Sequence, residues 1–398
     1  MERRTDLDWL RGLMLVLMTM THLPTWFSSH AGQPFGFVSA AEGFVFLSAY
    51  LVGSVYGHKA RTAGFDAMRR ALLGRTLKVY AAHAALLLFL LLVLVPIGVS
   101  RDADAITGLA SYALERPRLA LASGLVLAYN PPLLDILPMY VLFLLASPAL
   151  LAYGMRRGFG LLFAISALLW LYAQYDGGAH VYRAVAALVG WPVPYGATGA
   201  FAFMAWQLLW LVGLRIGVMQ SDPDAGQNRS RVRDDFPLHR NASPTVPAWP
   251  RFAFPLVVGI AAVFFVWRHI VGQTFGSDAF LNALFDKWHL GPLRLLNFAV
   301  LALIVVRLRP TIVASADDSP LATLGRASLI VFSAHLLICL ALLTILGGEP
   351  RPHLSIFEAA LLLGTLVVLY GVAVAALAGP RAIRVQGRAL AARIGIRV

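Results

Sequence analysis

Residues 8–29 have the sequence DWLRGLMLVLMTMTHLPTWFSS, an apolar stretch that nevertheless contains Arg11 and His22. A transmembrane helix needs about 20 mostly apolar residues, and this stretch is long enough. Arg11 and His22 are separated by about three helical turns, so both side chains lie on one helix face, roughly 16 Å apart along the axis. Ionisable groups within a span are costly and are therefore candidates for function. The stretch thus predicts a membrane helix with a polar site.

Further apolar stretches of similar length follow along the chain. They lie at about 37–57, 79–99, 133–153, 159–175, 199–219, 252–271, 292–308, 323–346 and 355–378. Residues 109–128 are interrupted by charges and a proline, and are interpreted as an interfacial or re-entrant segment. Of the 398 residues, 59% are apolar and 13% are charged, whereas soluble domains have roughly 45–50% and about 25%. The sequence therefore predicts an all-α integral membrane protein with about ten transmembrane helices, and argues against a water-soluble enzyme.

The distribution of Lys and Arg predicts the orientation of the chain, because cytoplasmic loops of membrane proteins carry an excess of these residues. If the N-terminus is cytoplasmic and the chain crosses ten times, 25 of the 33 Lys and Arg residues lie on the inner side. Both termini are therefore predicted to be cytoplasmic. The net charge of +13 is explained by this topology, so no nucleic-acid partner is expected.

One transmembrane domain is predicted at residues 1–380, followed by a basic cytoplasmic tail at 381–398. The tail spaces its arginines among apolar residues, which favours an amphipathic helix on the inner leaflet, with a frayed tail as the alternative. Residues 220–250 are rich in Asp, Arg, Asn and Pro and are predicted to form a flexible cytoplasmic linker within the domain. The first span lacks a small-residue cleavage site, so a retained helix is expected and not a signal peptide.

Three ionisable residues in the first two spans are candidates for chemistry. Arg11 is predicted near the inner interface, where a guanidinium suits a phosphate or carboxylate, or anchors the helix with Asp8 as its partner. His22 is predicted past the bilayer centre, where it suits a general base, or is a hydrogen-bonded histidine of the bundle. Glu42 opens the second span at a similar depth. It would orient or charge-stabilise an imidazole, or is an acid favoured by the helix dipole.

Four cations are clustered on the predicted loop between the second and third spans. They are Arg69, Arg70, Arg75 and Lys78. Such a cluster can hold a nucleotide phosphate, and the alternative is ordinary topology with contact to anionic lipid. No phosphate-binding glycine motif accompanies it.

Four more polar residues are candidates for substrate binding. Asp135 enters the fourth span beside prolines, which suit a local break lining a cavity. Lys287 and Arg294 flank the outer end of the eighth span, where an aromatic residue beside cations suits a sugar or a carboxylate, or an ordinary aromatic belt. His335 lies within the ninth span, as a ligand or as a packed structural histidine. The single cysteine, Cys339, excludes an intrachain disulfide, and no metal site is predicted.

The positions of Arg11 and His22 match the R-x10-H signature of the membrane acyltransferases of acyltransferase family three. The chain resembles the OpgC family more closely, through motifs spread from residue 6 to about 340. These motifs are Asp8-Trp9-Leu10-Arg11-Gly12, residues 42–50, residues 134–138, Trp206-Gln207, residues 291–294 and residues 325–335. Ala49 departs from the glycine that the family commonly has after the serine, and its methyl group should perturb packing more than chemistry.

The resemblance implies an O-acyltransferase of the bacterial inner membrane that succinylates osmoregulated periplasmic glucans. The donor would be a cytoplasmic acyl-CoA, succinyl-CoA or acetyl-CoA, and no cofactor would be bound permanently. Arg11 and the 69–78 cations would receive the phosphates of CoA. His22 would take the proton of the acceptor hydroxyl or be transiently acylated, with Glu42 orienting it or stabilising its cationic form. Arg294 or Lys287 would hold a succinyl carboxylate.

Two other classes of function are consistent with the sequence. The first is a transporter or flippase for a glycan, lipid or anion, with Arg11, His22 and Glu42 as coupling groups, although no inverted repeat supports it. The second is a non-catalytic subunit of a glucan-export assembly. The acyl group, the acceptor and the oligomeric state are left open by the sequence.

Overall fold

The computed structural model describes residues 4–221, 252–272, 274–316, 319–348 and 353–393, with the side chains of 31, 315 and 380–393 left aside. Within these residues all regular elements are helical and no strand occurs, which confirms the all-α prediction. Nearly all of the predicted linker at 220–250, and the last five residues of the predicted tail, lie outside the described residues.

The helices are numbered here in chain order. They are α1 (Thr5–His22), α2 (Trp26–Ala31), α3 (Ala40–Phe89), α4 (Val95–Ser100), α5 (Asp104–Leu109), α6 (Ser111–Glu115), α7 (Pro117–Leu125), α8 (Ile136–Arg157), α9 (Gly160–Ala173), α10 (Gly177–Val189), α11 (Phe203–Gln220), α12 (Ala253–Val271), α13 (Ala279–Leu284), α14 (Pro292–Ala316), α15 (Pro320–Arg326), α16 (Ser328–Leu346) and α17 (Ile356–Arg393). A π-helical turn, Leu90–Leu94, joins α3 to α4, and a 3₁₀ turn, Tyr195–Ala197, precedes α11.

Seven helical stretches in the described part of the chain are long and apolar enough to cross a membrane. They are Ala40–Ser100, Ile136–Arg157, Phe203–Gln220, Ala253–Val271, Pro292–Ala314, Ser328–Leu346 and Ile356–Gly379. The protein is therefore an integral membrane protein. The first stretch, at 61 residues, contains two of the predicted spans. The ten-span count is not confirmed, because α1 and the 14-residue α9 are not among the seven. The cytoplasmic placement of both termini stays a prediction.

The first predicted span, 8–29, is not one helix. α1 ends at His22, and Leu23 has extended backbone dihedrals, φ −67° and ψ 136°. Pro24 explains the break, since the residue before a proline is pushed out of the helical region. The chain resumes as α2 only at Trp26.

The basic cluster predicted on a loop lies on a helix instead. α3 changes direction at Gly64, whose φ of 84° and ψ of 164° are non-helical, a backbone conformation that glycine adopts without a steric penalty. The residues after it are mostly Ala, Leu, Met and Arg, which are strong helix formers. Arg69, Arg70 and Lys78 are exposed on this part of α3, and Arg75 is half-buried.

The chain forms two compact units. Unit 1 comprises residues 1–32, 94–107 and 309–398, and unit 2 comprises residues 33–93 and 108–308. A single membrane domain at 1–380 stays a prediction, and each unit is described by itself.

Close backbone contacts made by glycine organise the helices within each unit. In unit 1, α1 approaches α15 so closely that a Cβ on Gly12 would collide with the main chain of Leu321, and one on Gly325 with the main chain of Asp8. In unit 2, Gly53 of α3 meets α11 in the same way. Small residues at such crossings allow the tight packing common between membrane helices.

Candidate active site

The first polar site lies in unit 1, where the end of α1 meets the middle of α16. Nδ1 of His22 and Nε2 of His335 are 3.1 Å apart, and the two ring planes differ by 15°. His335 is fully buried, whereas His22 is half-buried. The two histidines were separate candidates in the sequence, and the structure brings them together.

The hydrogen bonds of His335 define which nitrogen of His22 can take a proton. Nδ1 of His335 is 2.7 Å from the carbonyl oxygen of Phe332, and a carbonyl only accepts, so Nδ1–H donates. Because a buried charge is costly, the ring is neutral and its Nε2 carries a lone pair. That lone pair accepts a hydrogen bond from Nδ1–H of His22. Neutral His22 therefore carries its own lone pair on Nε2, the form that a general base requires.

An apolar cluster holds the end of α1 in this position. Leu23, Cys339 and Leu362 are buried and pack together, with Met20 and Phe27 against them. Cys339 lies one turn beyond His335 on α16, and Leu23 follows His22. The ring of His22 is thus positioned by packing on the residues next to both histidines.

Arg11 lies three turns before His22 on the same helix. Its Nη2 donates to Oγ of Ser328, the buried first residue of α16. Arg326 lies two residues earlier, at the end of α15, and its Nε is buried with no hydrogen-bond partner in the described residues. Arg326 was not among the predicted site residues.

Glu358, a buried carboxylate that was not among the predicted site residues, holds two helix starts in unit 1. Glu358 is 1% exposed, and its Oε1 accepts from the main-chain N–H of Trp26 at 3.1 Å. Its Oε2 accepts from the N–H of Ser355 at 3.1 Å. The signal was present as Ser-x-x-Glu at 355–358, the capping-box pattern of a helix start.

The second polar site lies in unit 2 and is centred on Glu42, near the start of α3. Glu42 is fully buried, and its Oε2 accepts from the N–H and hydroxyl of Ser39 at 3.1 and 2.5 Å. Its Oε1 accepts from Nε of Arg294 on α14, which is 1% exposed. Glu42 is thus both a helix-capping acid and half of a buried ion pair. Its expected role toward His22, which belongs to unit 1, stays a prediction.

Lys287 interacts electrostatically with this pair and with Asp135. Lys287 lies on the turn before α14, with Nζ 4.5 Å from the ring centroid of Trp288, and burial lowers its pKa. Asp135 precedes α8, and burial raises its pKa although its carboxylate accepts from the N–H of Ala200 at 3.1 Å. The charge of Lys287 is attracted by the carboxylates of Glu42 and Asp135 and repelled by the guanidinium of Arg294. Glu42 and three of the four predicted substrate-binding residues therefore group in unit 2, and His335 does not.

The cations at 69–78 also belong to unit 2, whereas Arg11 belongs to unit 1. That Arg11 and the cations at 69–78 together bind the phosphates of CoA stays a prediction.

Comparison with known proteins identifies the family. The model of the family described as OpgC protein matches residues 3–379, a range that includes all the candidate site residues. No curated protein and no solved structure matches the chain. The chain belongs to the OpgC protein family.

Proposed function

We propose that the protein is a membrane O-acyltransferase. It moves an acyl group, succinyl in our assignment, from cytoplasmic acyl-CoA to a hydroxyl of a periplasmic glucan at the bacterial inner membrane. Membership of the OpgC family supports this assignment. The observation that carries it is the hydrogen bond between Nδ1 of His22 and Nε2 of His335, because it leaves Nε2 of His22 as the basic nitrogen.

His22 acts as the general base. Its Nε2 takes the proton of the acceptor hydroxyl while the hydroxyl oxygen attacks the thioester carbon of the donor. The carbon–oxygen bond forms, the carbon–sulfur bond breaks, and the proton passes from His22 to the CoA sulfur. During the step the His22 imidazolium donates through Nδ1–H to Nε2 of His335, which stabilises its charge. His335 is thus a positioning residue.

Arg11 is proposed to contact the phosphates of the donor, since a guanidinium is suited to phosphate oxygens. Its hydrogen bond to Ser328 fixes the side chain. The exposed cations of α3 are proposed to attract the anionic donor by their field, as clustered charges of one sign do.

The test is mass spectrometry of periplasmic glucans from deletion cells that produce the wild type, His22→Ala or His30→Ala. His30 lies on α2 and is exposed, so His30→Ala is the matched control. We expect the wild type and His30→Ala to restore the mass of a succinyl group on the glucans, and His22→Ala at equal membrane abundance to restore none. An acetyl increment would change the donor and keep the chemistry. Identical glucans in all strains would overturn the assignment and favour a transporter.

A further inference from the structure

The segment 33–42 of unit 2 is held by side chains from two helices. Three interactions hold it: Arg268 Nε to Oε1 of Gln33 at 3.0 Å, the N–H of Phe37 to Oδ1 of Asn297 at 2.7 Å, and the ion pair of Arg294 with Glu42. Arg268 belongs to α12, and Asn297 and Arg294 belong to α14. The segment therefore brings two buried guanidinium groups and a buried amide together.

Two buried donors in this group have no acceptor within the described residues. They are Nη2 of Arg294 and Nδ2 of Asn297, on side chains that are 1% and 0% exposed. Glu42 does not use Nη2, because its Oε1 accepts from Nε and its Oε2 is occupied by Ser39. Unsatisfied buried donors are rare and need an explanation.

Gly36 lies directly against the amide of Asn297. A Cβ on Gly36 would lie 2.6 Å from Oδ1 and 3.3 Å from Nδ2 of Asn297. The φ of Gly36 is +98°, a value that other residues rarely adopt. Only glycine therefore leaves room for the buried amide of Asn297 at this position.

The charges of the group do not balance. Arg294 interacts electrostatically with Arg268, and Lys287 interacts with Arg294, Glu42 and Asp135. In their ordinary protonation states, the three cations are Arg268, Arg294 and Lys287, and the two carboxylates are those of Glu42 and Asp135. One positive charge is therefore in excess. A buried charge is costly unless it is paired, so a monoanion with two acceptor oxygens would satisfy both the charge and the two donors.

We infer that Arg294 and Asn297 form a carboxylate-binding site, with Arg268 as the second cation. Its ligand is the free carboxylate of a dicarboxylic acyl group, and this choice of ligand rests on the acyl transfer proposed above. One carboxylate oxygen accepts from Nη2 of Arg294 and the other from Nδ2 of Asn297. The site would distinguish a succinyl from an acetyl donor.

Asn297→Asp is the sharpest variant for this site. An aspartate keeps an oxygen that accepts from the N–H of Phe37, but it replaces the donor Nδ2 by an anionic oxygen that repels a carboxylate. Asn282→Asp is the matched control, since Oδ1 of Asn282 likewise accepts from a main-chain N–H, that of Phe275, at 2.9 Å. Arg294→Lys is the second variant, because a lysine keeps the charge that pairs with Glu42 and removes Nη2.

The first readout is competition between equal amounts of succinyl-CoA and acetyl-CoA in membranes that contain each variant. We expect Asn297→Asp and Arg294→Lys to lower the ratio of succinyl to acetyl product about tenfold or more, the effect of losing a hydrogen bond to a charged group. Asn282→Asp should keep the wild-type ratio. An unchanged ratio in both site variants would overturn the inference.

The second readout does not depend on catalysis. Monomethyl succinate, which has one free carboxylate, should raise the Tm of the full-length protein in detergent, and dimethyl succinate should not. The increase should disappear in Asn297→Asp and persist in Asn282→Asp. A Tm increase without any acyl transfer would keep the site and reject the proposed function. Acyl transfer with equal Tm changes for both esters would reject the site alone.

Discussion

His335 is hydrogen-bonded to His22, and its own Nδ1–H donates to the carbonyl of Phe332. We expect His335→Leu to lower kcat by about 10- to 100-fold, by analogy with the loss seen when the hydrogen-bond partner of a metal-bound histidine is removed. Without an acceptor, Nδ1 of His22 is no longer forced to carry the hydrogen. Initial rates of acyl transfer in membranes, normalised to protein amount, measure the effect.

The conservative variant separates orientation from packing. His335→Gln supplies an amide oxygen that can accept from Nδ1–H of His22, so we expect it to retain more activity than His335→Leu. Equal losses in the two variants, with both proteins folded, would show that His335 serves packing and not the choice of nitrogen on His22.

Among the helices, the contact of α1 with α15 determines where Arg11 and His22 are placed in unit 1. Gly12→Ala and Gly325→Ala each put a Cβ against a backbone atom, which cannot move as a flexible side chain can. We expect both variants to lower the Tm in detergent and the amount of protein in the membrane. A Cβ on Gly371 of α17 meets nothing within 4 Å.

Gly371→Ala is therefore the matched control in the same unit. Alanine is favoured over glycine in a helix interior by about 0.8–1.0 kcal/mol, so we expect this variant to be as stable as the wild type or more stable. If all three variants behaved alike, the close approach of α1 and α15 would not be the cause of the loss.

The turn before α14 contains an ion pair whose strength depends on pH. Nδ1 of His289 pairs with Asp286, and its Nε2 is 3.5 Å from Oδ1 of Asp176. The hydrogen bond to Asp286 raises the pKa of His289 above 6.5. Burial opposes the ionisation of Asp286, but hydrogen bonds from His289 and the main chain hold its pKa below 3.8.

The direction of each pKa shift determines the pH range in which the residue stabilises the fold. The stabilisation from His289 is complete at pH values below its ordinary pKa of 6.5, and it is lost as the pH rises through the pKa of His289 in the folded protein. The stabilisation from Asp286 is complete at pH values above its ordinary pKa of 3.8, and it is lost as the pH falls through the pKa of Asp286 in the folded protein. We expect an NMR titration of His289 to give a pKa above 6.5 that falls in Asp286→Asn. An unchanged value in that variant would contradict the pair.

The two capping boxes show which elements the sequence could predict. Ser39 with Glu42, and Ser355 with Glu358, are local patterns of the kind that predict a helix start, and both are present. The end of α1 before Pro24 is equally local. The turn of α3 at Gly64 was not predictable, because most glycines in membrane helices are helical and only the surrounding contacts select the other conformation.

At the scale of the whole molecule, the parts of the site that sequence reasoning missed are pairings between distant residues. His22 and His335 are 313 positions apart, and Glu42 and Arg294 are 252 positions apart. Each residue was a candidate by itself because ionisable groups are costly in a membrane. Their partners follow from which helices pack together, and periodic patterns of apolar residues do not specify that choice.

The number of membrane crossings also belongs to the whole molecule. Seven apolar stretches are present among the described residues, but the stretch Ala40–Ser100 is 61 residues long, about 90 Å as a helix, and the hydrocarbon core is about 30 Å thick. We expect this stretch to cross twice, with its turn at Gly64 on the cytoplasmic side. If this stretch crosses twice, the other six stretches cross once each, and α1 and α9 also cross, the total is ten crossings. An even total places both termini on the same side of the membrane.

Cysteine labelling tests this topology directly. In a Cys339→Ala background, we expect Ser100→Cys to react with a membrane-impermeant maleimide in spheroplasts, because residue 100 would face the periplasm. Thr62→Cys should react only after the membrane is permeabilised. Both residues are exposed and both changes are small, so each controls for the other. If both positions reacted from the same side, the double crossing would be excluded. The chain would then have an odd number of spans, with its termini on opposite sides of the membrane.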